Sequence, residues 1–215
     1  MVGSTRSRKL VARIRELGWG RVFCERPAPY PGEPWALDNG AFAAWKSGKP
    51  FSAERFAERA VEYAPLKPLF AVLPDIVGRG QESLAMSMAW LPRLPREISW
   101  YLAVQDGMTL AMVAPVLCHV DGIFLGGTTP FKATAWDWAK LAHEHGKKFH
   151  YARVSTPLFY RRALDCGADS CDSSQPLWSR DEWRKFERAV FDLDKQSSLF
   201  PRTRRARSDE GDTRS

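Results

Sequence analysis

Short apolar runs alternate with longer segments of helical pattern along most of the chain. Each run is followed by a polar or glycine-containing stretch, and then by a segment whose apolar residues recur three or four positions apart. This pattern predicts β-strands joined by helical crossovers. The predicted strands cover residues 22–24, 35–37, 69–73, 100–104, 122–125, 149–154 and 168–171.

Hydroxyl residues mark the predicted starts of three helices. Ser52, Thr109 and Thr156 each precede a helical segment, where their side chains can accept hydrogen bonds from the first unpaired N–H groups. Pro157 follows Thr156 at the first helical position, which proline favours. These caps support the division of the chain into alternating strands and helices.

Strands that alternate with helices form a parallel sheet or barrel. Seven strands are predicted, or eight if one has escaped the pattern, and this favours a (β/α)8 TIM-type barrel, complete or trimmed. A doubly wound open sheet is the alternative, because 215 residues are few for a closed barrel. Residues 1–195 are predicted to form one domain, and residues 196–215 a flexible basic tail.

The charge is concentrated at the two ends of the chain. The net charge is +7, to which residues 1–30 contribute seven Lys or Arg against two acidic residues, and residues 195–215 six against three. Basic ends suit contact with a polyanion such as nucleic acid, although basic tails also serve solubility. The 44% hydrophobic content provides enough apolar surface for a sizeable core.

The four cysteines show neither zinc-site spacing nor a disulfide framework. Reduced thiols in a cytoplasm are the simplest interpretation. No apolar run is long enough for a membrane span, and the N-terminus lacks the apolar core of a secretion signal. No metal or cofactor is predicted.

Polar residues follow strand after strand at the same predicted end. In parallel α/β folds, sites form at the carboxyl ends of the strands, so these residues are expected to converge on one pocket. A single Asp in such a place is usually a turn or cap residue, but a series is harder to explain in that way. The stretches are 38–42, 74–75, 105–107, 126–128, 152–156 and 172–174.

Two carboxylates across a pocket, Asp38 and Asp172, can divide nucleophilic and acid/base work. Asp75 and Gln105 offer an acceptor and a mixed donor and acceptor for the edge of a ring. Gly126 and Gly127 allow a flat ligand to approach their backbone closely. Aromatic residues such as Phe42 and Tyr151 can stack on a ring, although most aromatic residues are expected in the core.

Other residues carry weaker signals. Asp169 is a weaker alternative to Asp172. The four scattered histidines, including His150, are interpreted as surface or structural residues. Cys171 is interpreted as a small buried residue.

The ordered motifs resemble those of the tRNA-guanine transglycosylase superfamily over roughly residues 35–180. The segments that carry the resemblance are Asp38-Asn39-Gly40-Ala41-Phe42, Pro74-Asp75, Val104-Gln105-Asp106-Gly107, Asp121-Gly122-Ile123-Phe124-Leu125-Gly126-Gly127 and Cys166-Gly167-Ala168-Asp169-Ser170-Cys171-Asp172.

The resemblance implies a pentosyltransferase in which Asp172 is the nucleophile and Asp38 the acid/base carboxylate. Asp75, Gln105, Gly126, Gly127, Asn39 and Phe42 would bind the base. Because the chain lacks the zinc cluster of the tRNA enzymes, it looks more like the compact bacterial and bacteriophage enzymes that insert a 7-deazaguanine, such as preQ0, into DNA and so protect it from restriction. The implied partners are flipped or single-stranded DNA, the free base and a helper protein that opens the duplex.

Three alternatives stay open. The first is the same exchange on tRNA. The second is a non-catalytic nucleic-acid-binding barrel, whose binding would weaken with salt. The third is a glycoside hydrolase with the same carboxylate pair.

Overall fold

The computed structural model of the chain describes residues 1–24, 29–30 and 32–199. Within these residues, eight parallel strands pair in sequence order, from β1 to β8. The strands are β1 Val2–Gly3, β2 Arg21–Phe23, β3 Trp35–Leu37, β4 Ala71–Val72, β5 Trp100–Val104, β6 Gly122–Leu125, β7 Lys148–Tyr151 and β8 Ser170–Cys171.

The α-helices occupy the crossovers between the strands. They are α1 Arg8–Glu16, α2 Ala41–Lys46, α3 Ala53–Tyr63, α4 Gly80–Trp90, α5 Leu110–Val113, α6 Thr129–Lys132, α7 Ala135–Glu144, α8 Pro157–Asp165 and α9 Arg180–Leu199. Ser52, Thr109 and Thr156 cap α3, α5 and α8 through their side chains, as predicted. Helix α9 runs to Leu199, and residues 200–215 of the predicted tail lie outside the described residues.

The sheet closes on itself. Val2 forms a parallel bridge with Ser173, just beyond β8. The Gly3 N–H donates to the Ser173 carbonyl at 3.1 Å, and the Ser173 N–H donates to the Met1 carbonyl at 3.1 Å. The predicted (β/α)8 TIM-type barrel is therefore confirmed, and the open sheet is wrong. The strand missing from the prediction is β1, whose two residues are too few to show an apolar pattern.

The crossover between β2 and β3 is short. Among the described residues between β2 and β3, there is no helix. On that side of the barrel, the guanidinium of Arg21 forms a buried ion pair with Glu33 and lies 4.6 Å from the centre of the Phe23 ring.

Alternate strand residues face two different cores. Residues such as Phe23, Leu37 and Leu102 pack between the sheet and the helices. Their neighbours along the strands, such as Val22 and Ala103, form a separate cluster inside the barrel. This is the period-two alternation expected of strands with apolar groups on both faces.

Aromatic rings fill part of the barrel interior. Phe70 stacks on Tyr101 at 4.2 Å between ring centroids, and Phe124 stacks on the imidazole of His150 at 4.9 Å. Phe70 also contacts His150, which joins the two pairs. Because the interior is packed, a ligand can enter only above this layer, at the mouth of the barrel.

In the part of the chain that the structure describes, none of the helices has the length and apolar content needed to cross a membrane.

We expect Gly122→Ala to destabilise the barrel. A Cβ atom at Gly122 would lie 2.7 Å from the ring of Tyr101, and that ring cannot move freely because it is stacked on Phe70. Such overpacking costs about 1–3 kcal/mol, measurable by urea unfolding. Gly3→Ala is the matched strand control, because its Cβ would meet its nearest neighbour at 3.5 Å. Equal stabilities of the two variants would contradict this account of the interior.

Candidate active site

A cavity of about 400 Å³ opens at the carboxyl ends of the strands. Its floor is apolar and includes Val22, Val72, Ala103 and Phe124. We call it the mouth cavity. All eight residues predicted for the site line it, namely Asp38, Asn39, Phe42, Asp75, Gln105, Gly126, Gly127 and Asp172. Their roles in catalysis and substrate binding stay predictions.

Asp172 follows β8 and is held by two hydrogen bonds to the same oxygen. His150 contacts its Oδ1 through Nε2 at 3.0 Å, and the backbone N–H of Arg153 donates to it at 2.9 Å. Burial alone would raise the pKa of Asp172, but these hydrogen bonds and nearby positive charge, including the N-terminal ammonium, lower the pKa below its ordinary value. Asp172 is therefore ionised at neutral pH.

His150 holds Asp172 from inside the barrel. Its ring is fully buried, and burial lowers its pKa, so the imidazole is neutral. A neutral ring that donates from Nε2 to a carboxylate must accept at Nδ1, where the Ser170 hydroxyl lies at 2.8 Å. The sequence interpretation of the histidines as surface or structural residues therefore missed a positioning residue. Its signal was a polar residue between two aromatic residues, Phe149 and Tyr151, on β7.

Asp38 follows β3, and its surroundings shift its pKa in the opposite direction, above the ordinary value. Burial raises its pKa, and hydrogen bonds from the Cys24 thiol at 3.2 Å and the Gly40 N–H at 3.3 Å offset this only in part. The Asp172 charge raises the pKa further. The pKa of the Cys24 thiol is itself raised by burial and by Asp38, so the thiol keeps its proton and remains a donor.

Asp75 is the centre of a buried polar network. Asn39 Nδ2 donates to its Oδ1 at 2.7 Å, and Gln105 Nε2 donates to its Oδ2 at 2.9 Å. Gln105 Oε1 accepts from the Gly78 N–H at 2.7 Å. Asp75 thus has a partner within the protein at both carboxylate oxygens, and Gln105 has one at both of its polar side-chain atoms. The network therefore braces the mouth of the barrel. Burial raises the pKa of Asp75 to about 6.

Arg153 completes the mouth cavity and was not assigned to the site from the sequence. Its backbone is left-handed, with φ +53°, which is strained for a residue with a side chain. Its guanidinium lies 4.1 Å from the centre of the Phe42 ring and donates to the Gly127 carbonyl at 2.6 Å. The ring of Phe42 and the carbonyl of Gly127 therefore already have a cationic partner. Its position two residues after the end of β7 was the available signal.

Two glycine positions have structural explanations. Gly127 has φ +74°, and a Cβ there would lie 2.7 Å from the carboxylate of Asp106 and 2.7 Å from the ring of Phe131. The Gly126 N–H donates to the Val104 carbonyl at 2.9 Å, which continues the ladder beyond β6. Glycine is thus required at position 127 by the turn that follows β6, whereas the hydrogen bond at position 126 needs only a backbone N–H.

Asp169, the weaker alternative to Asp172, lies away from the cavity. Its carboxylate accepts from the Phe149 N–H at 2.8 Å, and from Lys148 at 2.8 Å, near the start of β7. It therefore braces the amino end of the strands and cannot replace Asp172. In the described ranges, no group of three or more His, Cys, Asp or Glu residues is arranged to hold a metal ion.

No protein-family model and no curated protein matches the sequence. The matching solved structures include an HpcH/HpaI aldolase from Desulfitobacterium hafniense DCB-2, with a TM-score of 0.54 and 11% sequence identity. The match covers 91% of this chain and 92% of that chain. At this identity, the similarity shows a shared barrel fold.

The predicted membership of the tRNA-guanine transglycosylase superfamily is wrong, because the structural match is to a different barrel family. The same finding overturns the predicted pentosyltransferase activity, base exchange in DNA or tRNA, and the non-catalytic nucleic-acid-binding barrel. The physical reason lies in the motifs. Asn39, Asp75 and Gln105 bond to one another, and Gly127 is required by its turn. DNA, a free base and a helper protein as partners stay untested predictions.

We expect the buried carboxyl of Asp75 to make stability fall as pH rises. Its pKa is about 6 in the folded chain against an ordinary 3.8, so the folded state holds its proton more strongly. The free energy of unfolding should therefore fall by about 2 kcal/mol from this group between pH 4 and pH 7.5. Asp75→Asn should remove that part of the fall, as measured by urea unfolding at both pH values.

Asp137→Asn on α7 is the matched control, because its carboxylate is exposed to water. The control should leave the difference between the two pH values nearly unchanged. An Asp75→Asn protein with the full pH dependence of the parent would refute this role of Asp75.

Proposed function

We propose that this chain is an enzyme that performs acid–base catalysis on a small molecule, and that it is a lyase of the aldolase type. The observation that carries the proposal is the carboxylate pair in the mouth cavity, whose two members have pKa values shifted in opposite directions. The pKa of Asp172 is lowered and that of Asp38 is raised. Pairs of this kind are characteristic of acid/base sites.

The cavity suits a small, partly apolar substrate. Its volume of about 400 Å³ falls within the usual range for small-molecule sites, and its floor is apolar while its walls carry hydrogen-bonding groups. A compound with a hydroxyl group near Asp172 and a carbonyl group near Asp38 and Arg153 would satisfy all three side chains.

An aldol cleavage uses both members of the pair. Asp172 takes the proton of a β-hydroxyl group, and the O–H electrons form the new aldehyde or ketone. The carbon–carbon bond breaks, and its electron pair forms an enolate, whose oxygen receives the proton of Asp38. Water then returns the proton from Asp172 to Asp38, so the enzyme is restored. The similarity in fold to an aldolase supports this class of reaction.

We expect Asp172→Asn and Asp38→Asn each to reduce cleavage of β-hydroxy carbonyl compounds by about 10²–10⁴-fold in kcat, because each removes one proton transfer. A panel of such compounds would be incubated with the protein, and the released aldehyde or ketone measured by NMR. Asp169→Asn is the control, because this carboxylate lies away from the cavity. Absence of cleavage across the panel, and of hydrogen exchange beside the product carbonyl, would overturn the proposal.

The pH profile of kcat should report the same pair. Asp172 must be ionised, so activity falls as pH drops through its lowered pKa. Asp38 must be protonated, so activity falls as pH rises through its raised pKa. The pH range of activity therefore includes 3.8, the ordinary pKa of an Asp side chain, and extends above it. In Asp38→Asn, the residual activity should lose the alkaline fall, and an unchanged alkaline limb would assign that limb to another group.

A further inference from the structure

A second cavity of about 360 Å³ adjoins the mouth cavity. Its walls come from α2 and from the loops that follow β6, β7 and β8. We call it the side cavity. Phe42, Gly127, Thr128 and Arg153 line both cavities, so one ligand can reach from one into the other.

The two cavities differ in the charged residues that line them. The mouth cavity is lined by four acidic residues, Asp38, Asp75, Asp106 and Asp172, and by one cation, Arg153. The pKa values of Asp106 and Asp172 are lowered, so these two carry negative charge. The charged residues lining the side cavity are Lys46, Lys132 and Arg153, and none of its lining residues in the described part of the chain is acidic. The mouth cavity therefore disfavours an anion, while the side cavity favours one.

Lys132 is the most informative of these cations. Lys132 is only 5% exposed, yet it lines the side cavity. Its ammonium donates to the Ala152 carbonyl and lies 5.3 Å from the centre of the Tyr151 ring. An ammonium group has three N–H donors. Among the described residues, the acceptor that the Lys132 ammonium reaches is the Ala152 carbonyl. Burial lowers its pKa to about 7, which an anion nearby would reverse.

Polar residues that line the side cavity together with Lys132 fit an anionic oxygen group. Ser155 and Ser174 are exposed residues that line the side cavity, on the loops after β7 and β8. Arg153 stands at the junction with a guanidinium that has five donors, one of which is used by Gly127. In barrels of this type, the loops after the last two strands often bind phosphate.

We propose that the side cavity binds an anionic oxygen group, a phosphate or a carboxylate, at one end of the substrate. The uncharged hydroxy-carbonyl end then lies in the mouth cavity, and Arg153 contacts the ligand between the two. The placement of the reacting end rests on the proposed function, whereas the binding of an anion does not.

The test is a titration of the full-length protein with sulfate as a tetrahedral probe and acetate as a carboxylate probe, followed by NMR or calorimetry. We expect saturable binding of at least one probe, and the preferred probe identifies the group. Lys132→Met should weaken that binding about tenfold or more, whereas Lys132→Arg should retain most of it. Lys140→Met, which removes an exposed cation from α7, should leave binding unchanged. Circular dichroism spectra would verify that each variant is folded.

Lack of saturable binding of either probe would overturn the inference. So would equal losses in Lys132→Met and Lys140→Met, because the effect would then be one of net charge. The outcome is separable from that of the proposed function. Cleavage that depends on Asp172 without anion binding would reject the side cavity alone, and anion binding without any cleavage would reject the lyase reaction alone.

Discussion

Closure of the parallel barrel is the constraint on which the rest of the structure depends. Parallel strands all point the same way, so a closed sheet of eight brings eight carboxyl ends to one mouth. The hydrogen bonds between Gly3, Ser173 and Met1 complete that closure. As a result, Asp38 and Asp172, which are far apart in the sequence, line the same cavity.

Several carboxyl groups lie together at the mouth of the barrel, where negative charges would repel one another. The fold reduces this repulsion by giving each carboxyl group a different environment. Asp172 receives hydrogen bonds from His150 and from the Arg153 backbone, and it stays ionised. Asp38 and Asp75 are desolvated and hold their protons more strongly. The left-handed backbone of Arg153 is part of this solution, because it aims the N–H at Asp172 while the guanidinium remains at the junction of the two cavities. Acid and base are thus separated by environment, although the residue type is the same.

Short polar motifs at strand ends are a weak basis for choosing a family. Asn39, Asp75 and Gln105 follow three successive strands, and each has a structural partner among the others. A barrel needs such residues to satisfy buried polar groups where its strands end, whatever reaction it performs. The order of the motifs therefore predicted the position of the cavity well, while the transglycosylase resemblance derived from them was wrong.

The sequence by itself determined the alternation of strands and helices, the helix caps at Ser52, Thr109 and Thr156, and the run of polar residues at one end of the strands, because periodicity and capping depend on neighbours in the chain. Only the tertiary structure decided that Val2–Gly3 closes the barrel, that His150 points inward at Asp172, and that the cations gather in a separate cavity. Protonation states and charge separation depend on burial and on distances between remote residues, and these arise only when the barrel closes.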